Sequence, residues 1–137
     1  MKKTMILAVA LMALTWLLAG CGGAKLADVY DKDEVTDRAK DMVELINDRD
    51  YEAVAGEVRE DLRDQLTPDI LSNAWDAALD KSGAFEDYKS VTVIGQKNRN
   101  SGEDYAVVVL VGKYENASRT FTIMMDENLD IVGLYMK

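Results

Sequence analysis

The chain has 137 residues, with 16 Lys+Arg against 25 Asp+Glu, no histidine, one cysteine and a net charge of −9. Without histidine there is no Ser-His-Asp triad, Cys-His pair or His-ligated zinc, and one cysteine excludes an intrachain disulfide or a CxxC metal or redox site. A pI near 4.5 argues against nucleic acid as a partner, since phosphate binding needs a basic face.

Residues 1–20 differ from the rest. Lys2 and Lys3 precede an apolar run from Met5 to Ala19 that contains no acidic residue. The run is shorter than the roughly 20 residues of a membrane-spanning helix, and its order is that of a secretory signal peptide. Leu18-Ala19-Gly20-Cys21 resembles the lipobox of bacterial lipoproteins. That resemblance implies diacylglyceryl transfer to the Cys21 thiol, followed by cleavage between Gly20 and Cys21. The competing readings are an ordinary secretory peptide with a chance cysteine, and a retained membrane anchor. The agreement of position, apolar run and small residues favours the lipobox. The mature chain then runs from Cys21 to Lys137 and, having lost Lys2 and Lys3, carries −11. The expected organisation is a signal peptide over 1–20, a lipidated cysteine and tether over 21–32, and a single domain over 33–137. Extended, residues 22–32 reach about 36 Å at most.

Asp33 to Asn47 reads as a helix, with Val35, Ala39, Met42, Val43 and Ile46 on one face and Asp31 or Asp33 as its cap. Tyr51 to about Gln65 is a second helical stretch, carrying Tyr51, Val54, Val58 and Leu62; Gly56 weakens its continuity. Thr67-Pro68-Asp69 opens a third helix, because proline loses no hydrogen bond at the first helical position. Its expected stripe is Ile70, Leu71, Ala74, Trp75, Ala78 and Leu79, with Gly83 as terminator.

Strand patterns follow. Lys89 to Gln96 alternates around Val91 and Val93, and Tyr105 to Tyr114 is apolar on both faces. Arg119 to Met125 sets Phe121, Ile123 and Met125 on one side, Asp126-Glu127-Asn128 forms a turn, and Ile131 to Met136 is a last strand. Helices followed by short-linked strands predict an α+β domain in which three N-terminal helices pack on a four-stranded antiparallel meander.

The landmarks Asp50-Tyr51, Leu66-Thr67-Pro68, Trp75, Gly83-Ala84-Phe85, Asp104-Tyr105, Tyr114-Glu115, Asp126 and Gly133-Leu134 occur in the order of a known pattern. Over residues 33–137 the chain resembles the bacterial family called domain of unknown function 3887. The resemblance implies a secreted or lipid-anchored protein, found mainly in Gram-positive bacteria. It also implies a nuclear-transport-factor-2-like, or cystatin-like, fold, with a curved sheet wrapped around helices. It implies no reaction.

Each candidate site has a blander competing reading. Asp126 to Asp130 imitates the start of a calcium loop. However, Ile131 and Lys137 stand where such a loop needs glycine and glutamate, so it reads as a hairpin turn. The acidic groups Asp28, Asp31, Asp33, Glu34 and Glu57, Glu60, Asp61, Asp64 read as solvated faces. Trp75, Phe85, Tyr88, Tyr105 and Tyr114 can line a ligand pocket between sheet and helices, with core packing as the competing reading. Asp104 beside Tyr105 is the one neighbourhood suggesting a carboxylate and tyrosine pair, yet adjacent strand residues face opposite ways. Val108, Leu110 and Met124, with Val132, Leu134 and Met136, are expected on the face opposite Val107, Phe121 and Ile123, as a surface for a second copy or an envelope protein.

The sequence therefore points to a lipid-anchored domain on the extracytoplasmic face of the cell membrane, non-enzymatic and without cofactor or metal. It would bind a protein or a small apolar molecule. The alternatives are a homodimeric scaffold or accessory protein, and an enzyme with a carboxylate and tyrosine in the sheet–helix pocket.

Overall fold

The computed structural model describes residues 25–137. The expected signal peptide, with Gly20 and Cys21, lies outside the described residues. Helix α1 spans Lys32–Asn47, α2 spans Tyr51–Glu57, a 3-10 helix spans Glu60–Gln65 and α3 spans Pro68–Ser82. Strands β1 (Phe85–Lys97), β2 (Asp104–Tyr114), β3 (Ser118–Met125) and β4 (Ile131–Met136) follow. They form one antiparallel sheet in chain order, with β1 and β4 at its edges. No helix among the described residues is long and apolar enough to cross a membrane.

Helix α1 is fixed by its cap and its stripe. The Asp31 carboxylate accepts from the amides of Asp33 and Glu34 at 2.9 and 3.1 Å, which satisfies two of the free donors at the helix start. Val35, Ala39, Met42, Val43 and Ile46 are fully buried against the sheet. At about 1.5–3 kcal/mol for each large apolar side chain, this stripe outweighs the intrinsic propensity of a charged 16-residue segment.

The second helical stretch is shorter than its pattern suggests. It stops at Glu57, because Val58 turns extended and bridges Ile131 at the sheet edge, where the Arg59 amide donates to the Ile131 carbonyl at 2.8 Å. Tertiary pairing overrides local periodicity here. Arg63 reaches back from the 3-10 helix to the carbonyls of Val58 (3.0 Å) and Gly56 (3.2 Å), so the helix end does not leave bare acceptors. Helix α3 starts as the Thr67-Pro68 pair requires, the Thr67 hydroxyl accepting from the Ile70 amide at 3.3 Å. Its buried stripe is narrower than expected. Leu71, Trp75, Leu79 and Ser82 are inside, whereas Ile70 is 46% exposed and Ala74 is exposed.

Gly83 ends α3 at φ 77°, and a Cβ there would sit 3.0 Å from Glu115 Cβ, so the turn into β1 needs glycine on two counts. The Glu115 carboxylate accepts from the Ala84 amide at 2.7 Å and ties that turn to the end of β2.

Sheet register decides the two faces. Leu110 pairs with Phe121, Val108 with Ile123 and Ala106 with Met125, and all six face the helices. Val107 pairs with Ile94 and Met124 on the other side. The expected grouping is therefore corrected. Val108 and Leu110 are core residues, 0% exposed, while Met124 lies on the outer face. Alternation along each strand was legible, but the phase between strands is set by pairing, and a one-residue offset exchanges the faces. β4 adds a bulge, because Met125 pairs with Ile131 but Met124 pairs with Gly133, leaving Val132 as the extra residue. Beyond it, Leu134 and Met136 stand opposite Ile123 and Phe121 on the inner side.

The expected tether is largely part of the domain. Tyr30 is buried at 9% exposure, and its hydroxyl donates to the Asp104 carbonyl. Leu26 and Ala27 pack against the core. The Lys25–Leu26 backbone lies directly on Gly95 of β1, where an added Cβ would fall 2.2 Å from the Lys25 carbonyl oxygen. Residues 25–31 are thus a strap across the inner face. The apolar residues Leu26, Ala27 and Tyr30 were its signal, too short and irregular to register as periodicity.

Candidate functional site

The five aromatic residues do not converge on one cavity. Phe85, Tyr88 and Tyr114 form a cluster, with Phe85 centred 5.0 Å from Tyr88 and 5.4 Å from Tyr114, both edge-to-face. Lys40 of α1 lies over the Tyr88 ring at 5.3 Å. The Tyr114 hydroxyl donates to the Asn47 side-chain oxygen. Burial pushes the Tyr88 phenol up to about 12 and raises that of Tyr114 as well, so both stay protonated at neutral pH. Trp75 packs instead against Tyr51, 6.4 Å between ring centres. Tyr105 lies at the opposite end of β2 from Tyr114, opposite Gln96 on the outer face. The space between sheet and helices is occupied by Trp75, Tyr114, Phe121, Met42 and their neighbours.

Tyr105 belongs to a polar constellation that the sequence reading missed. Its hydroxyl donates to the Glu103 carboxylate at 2.5 Å. Arg59 donates to that same carboxylate at 3.3 Å, to Asp126 at 3.5 Å and to both oxygens of Asp61 at 2.8 and 3.2 Å. The Tyr105 hydrogen bond and then Arg59 hold Glu103 below the usual carboxylate range, and Arg59 does the same for Asp61. The tyrosine partner is therefore Glu103, two residues away on the same face, and not Asp104. An ionised carboxylate already bonded to a guanidinium and a phenol has little free basicity. Its structural work is plain. Arg59 joins the segment after α2, the β1–β2 hairpin and the β3–β4 turn.

Asp126 organises that last turn. Its carboxylate accepts from the amides of Asn128 and Asp130, both at 3.0 Å, and Leu129 takes φ 63°. The hairpin reading of Asp126 to Asp130 agrees with this geometry. No group of three or more metal-ligating side chains occurs among the described residues. A second clamp joins Arg49 to Asp76 (3.0 Å) and Asp80 (2.8 Å), with Tyr51 and Ser72 donating to Asp76 at 2.7 and 2.6 Å. These contacts, Ser72 first, lower the Asp76 carboxyl.

A cavity of about 170 Å³ lies where the strap meets β1 and β2, lined by Lys25, Ala27, Gly95, Gln96, Lys97, Asp104 and Tyr105. It is smaller than the roughly 300–1,000 Å³ of typical small-molecule sites.

The outer sheet face is the other extended surface. Ile94, Val107, Met124 and Gly133 form one row across it, and Thr92, Val109, Thr122 and Tyr135 form the next. The Met124 side chain lies over Gly133, and Val107 is 3% exposed. Tyr135 is 56% exposed. The helices that contact the sheet do so from the side of Val108, Leu110, Phe121 and Ile123.

These features define an α+β domain with helices on one side of an open antiparallel sheet. Residues 39–134 match the model of a family described as protein of unknown function (DUF3887), and the chain belongs to that family. It is also similar to a protein from Ruminococcus gnavus ATCC 29149 solved by NMR. The two share 28% identity and a TM-score of 0.72 over 82% of this chain and 96% of that one. No curated protein matches it.

Proposed function

We propose that the protein is a lipid-anchored domain on the extracytoplasmic face of the cell membrane that binds a protein partner through the outer face of its sheet, without catalysis. The anchor reading rests on Leu18-Ala19-Gly20-Cys21 behind a basic and then apolar leader. The observation that carries the binding reading is the apolar outer face, with Ile94, Val109, Val111 and Met124 only partly covered and Tyr135 exposed. The filled sheet–helix interior favours a protein over a small apolar ligand. The non-enzymatic reading is supported by the partners of Glu103 and Tyr105, each already engaged. A cystatin-like relation of sheet and helices belongs to the same reading.

Growth with a radiolabelled fatty acid tests the anchor. The wild-type chain should carry label and Cys21→Ala should not; label on the variant refutes it. A photo-crosslinking residue at Val109 tests the face. An adduct of discrete mass is expected, an adduct at twice the chain mass would identify a second copy as the partner, and absence of any adduct counts against the reading.

A further inference from the structure

We propose that the cavity between the strap and the β1–β2 hairpin is a binding site for a small zwitterion of the α-amino acid class. The site shares no residue with the outer-face rows through Val107 and Val109. Three of its walls carry full charge: Lys25 from the strap, Lys97 from β1 and Asp104 from β2. Lys97 and Asp104 are cross-strand partners, the arrangement in which opposite charges ordinarily join. Here neither of them, nor Lys25, enters an ion pair among the described residues. The neighbouring acid behaves differently, since Glu103 is engaged by Arg59 and Tyr105. Tyr30 of the strap fixes the Asp104 wall by donating to its backbone carbonyl.

Two ammonium groups and one carboxylate thus border a single hollow without closing on one another. A ligand carrying both signs satisfies all three, its carboxylate meeting Lys25 and Lys97 and its ammonium meeting Asp104. A simple anion sets its charge against Asp104, and a simple amine faces two lysines. The Gln96 side chain adds a donor and an acceptor at the same rim. Size narrows the class. The volume of about 170 Å³ holds about six waters at roughly 30 Å³ each, which is the scale of glycine or alanine rather than of an aromatic amino acid. Ala27 and Gly95 supply small walls for the ligand's Cα. Lys25 and Lys97 are exposed and Asp104 is half-buried, so solvent screens each pair and the affinity is millimolar. Lys25 and Ala27 belong to the strap and the other walls to the sheet, so a bound amino acid clips the strap to β1 and β2.

The test is an NMR titration of the isotope-labelled full chain, in detergent micelles, with L-alanine. Saturable shifts of the Gly95, Gln96 and Asp104 amides are expected, half-complete at about 1 mM. Propionate and ethylamine each keep one of alanine's two charges, and both should bind about five-fold more weakly. Alanine should lose about the same factor on Asp104→Asn and on Lys97→Gln, substitutions that keep shape and remove one charge. The two analogues are measured on the wild-type chain, so the comparison stands even where a variant fails to fold. No saturable shift, an analogue that binds as tightly as alanine, folded variants that bind like the wild type, or shifts confined to the outer sheet face each overturn the proposal.

Discussion

Gly95→Ala gives the sharpest test of the strap. In an ordinary strand alanine is more stable than glycine by roughly 0.5–1 kcal/mol, because glycine loses more backbone freedom on folding. Here the new Cβ falls 2.2 Å from the Lys25 carbonyl oxygen and 3.1 Å from Leu26 Cα. Both are backbone atoms, so the strap must lift. Overpacking of this kind costs about 1–3 kcal/mol, and lifting also loosens Tyr30 from the Asp104 carbonyl. A net loss of about 2 kcal/mol corresponds to a fall in Tm of about 8 °C for a domain of this size. The assay is thermal unfolding of residues 25–137, repeated on a chain beginning at Asp31. In the shorter chain the clash is absent, and Gly95→Ala should stabilise by roughly 0.5–1 kcal/mol. A Gly95→Ala variant of the longer chain as stable as the wild type would refute the reasoning.

Further outcomes follow from the same geometry. Leu110→Ala should cost about 2–5 kcal/mol in urea unfolding and Met124→Ala under about 1.5, because the first empties a buried site and the second trims a partly exposed face; equal costs would contradict the assigned register. Gly83→Ala should lose about 1–3 kcal/mol, since it forces alanine to φ 77° against Glu115. Asp61, Asp76 and Glu103 are held below their ordinary values. Their stabilisation is therefore present above the unfolded carboxylate pKa of about 4 and is lost as pH falls through the lower folded values. The urea midpoint should drop on going from pH 6 to pH 3, and the drop should shrink in Arg49→Met and Arg59→Met.

Local signals in the sequence carried much of the architecture. The α1 stripe and the Thr67-Pro68 start are encoded within a few residues of where they act and stand in the structure as read, and of the two possible caps, Asp31 and Asp33, Asp31 is the one used. The failures have a common cause. The end of α2 depends on Ile131, more than seventy residues away. The phase of β2 against β3 depends on pairing, which alternation within either strand does not encode. The aromatic candidates share a residue type, yet burial scatters them among three places. The Arg59 constellation draws on Asp61, Glu103, Tyr105 and Asp126 from three separate segments, so no spacing in the chain announces it. Leu26 and Tyr30 were visible as apolar residues, but the glycine that receives the strap lies in β1.

The proposed anchor at Cys21 is the central claim, since the proposed localisation depends on it, and mass spectrometry of the protein purified from membranes tests it most directly. The N-terminal peptide should begin at Cys21 and carry a diacylglyceryl thioether on its sulfur. A peptide that begins upstream of Cys21, or one whose Cys21 thiol is free, would contradict the account.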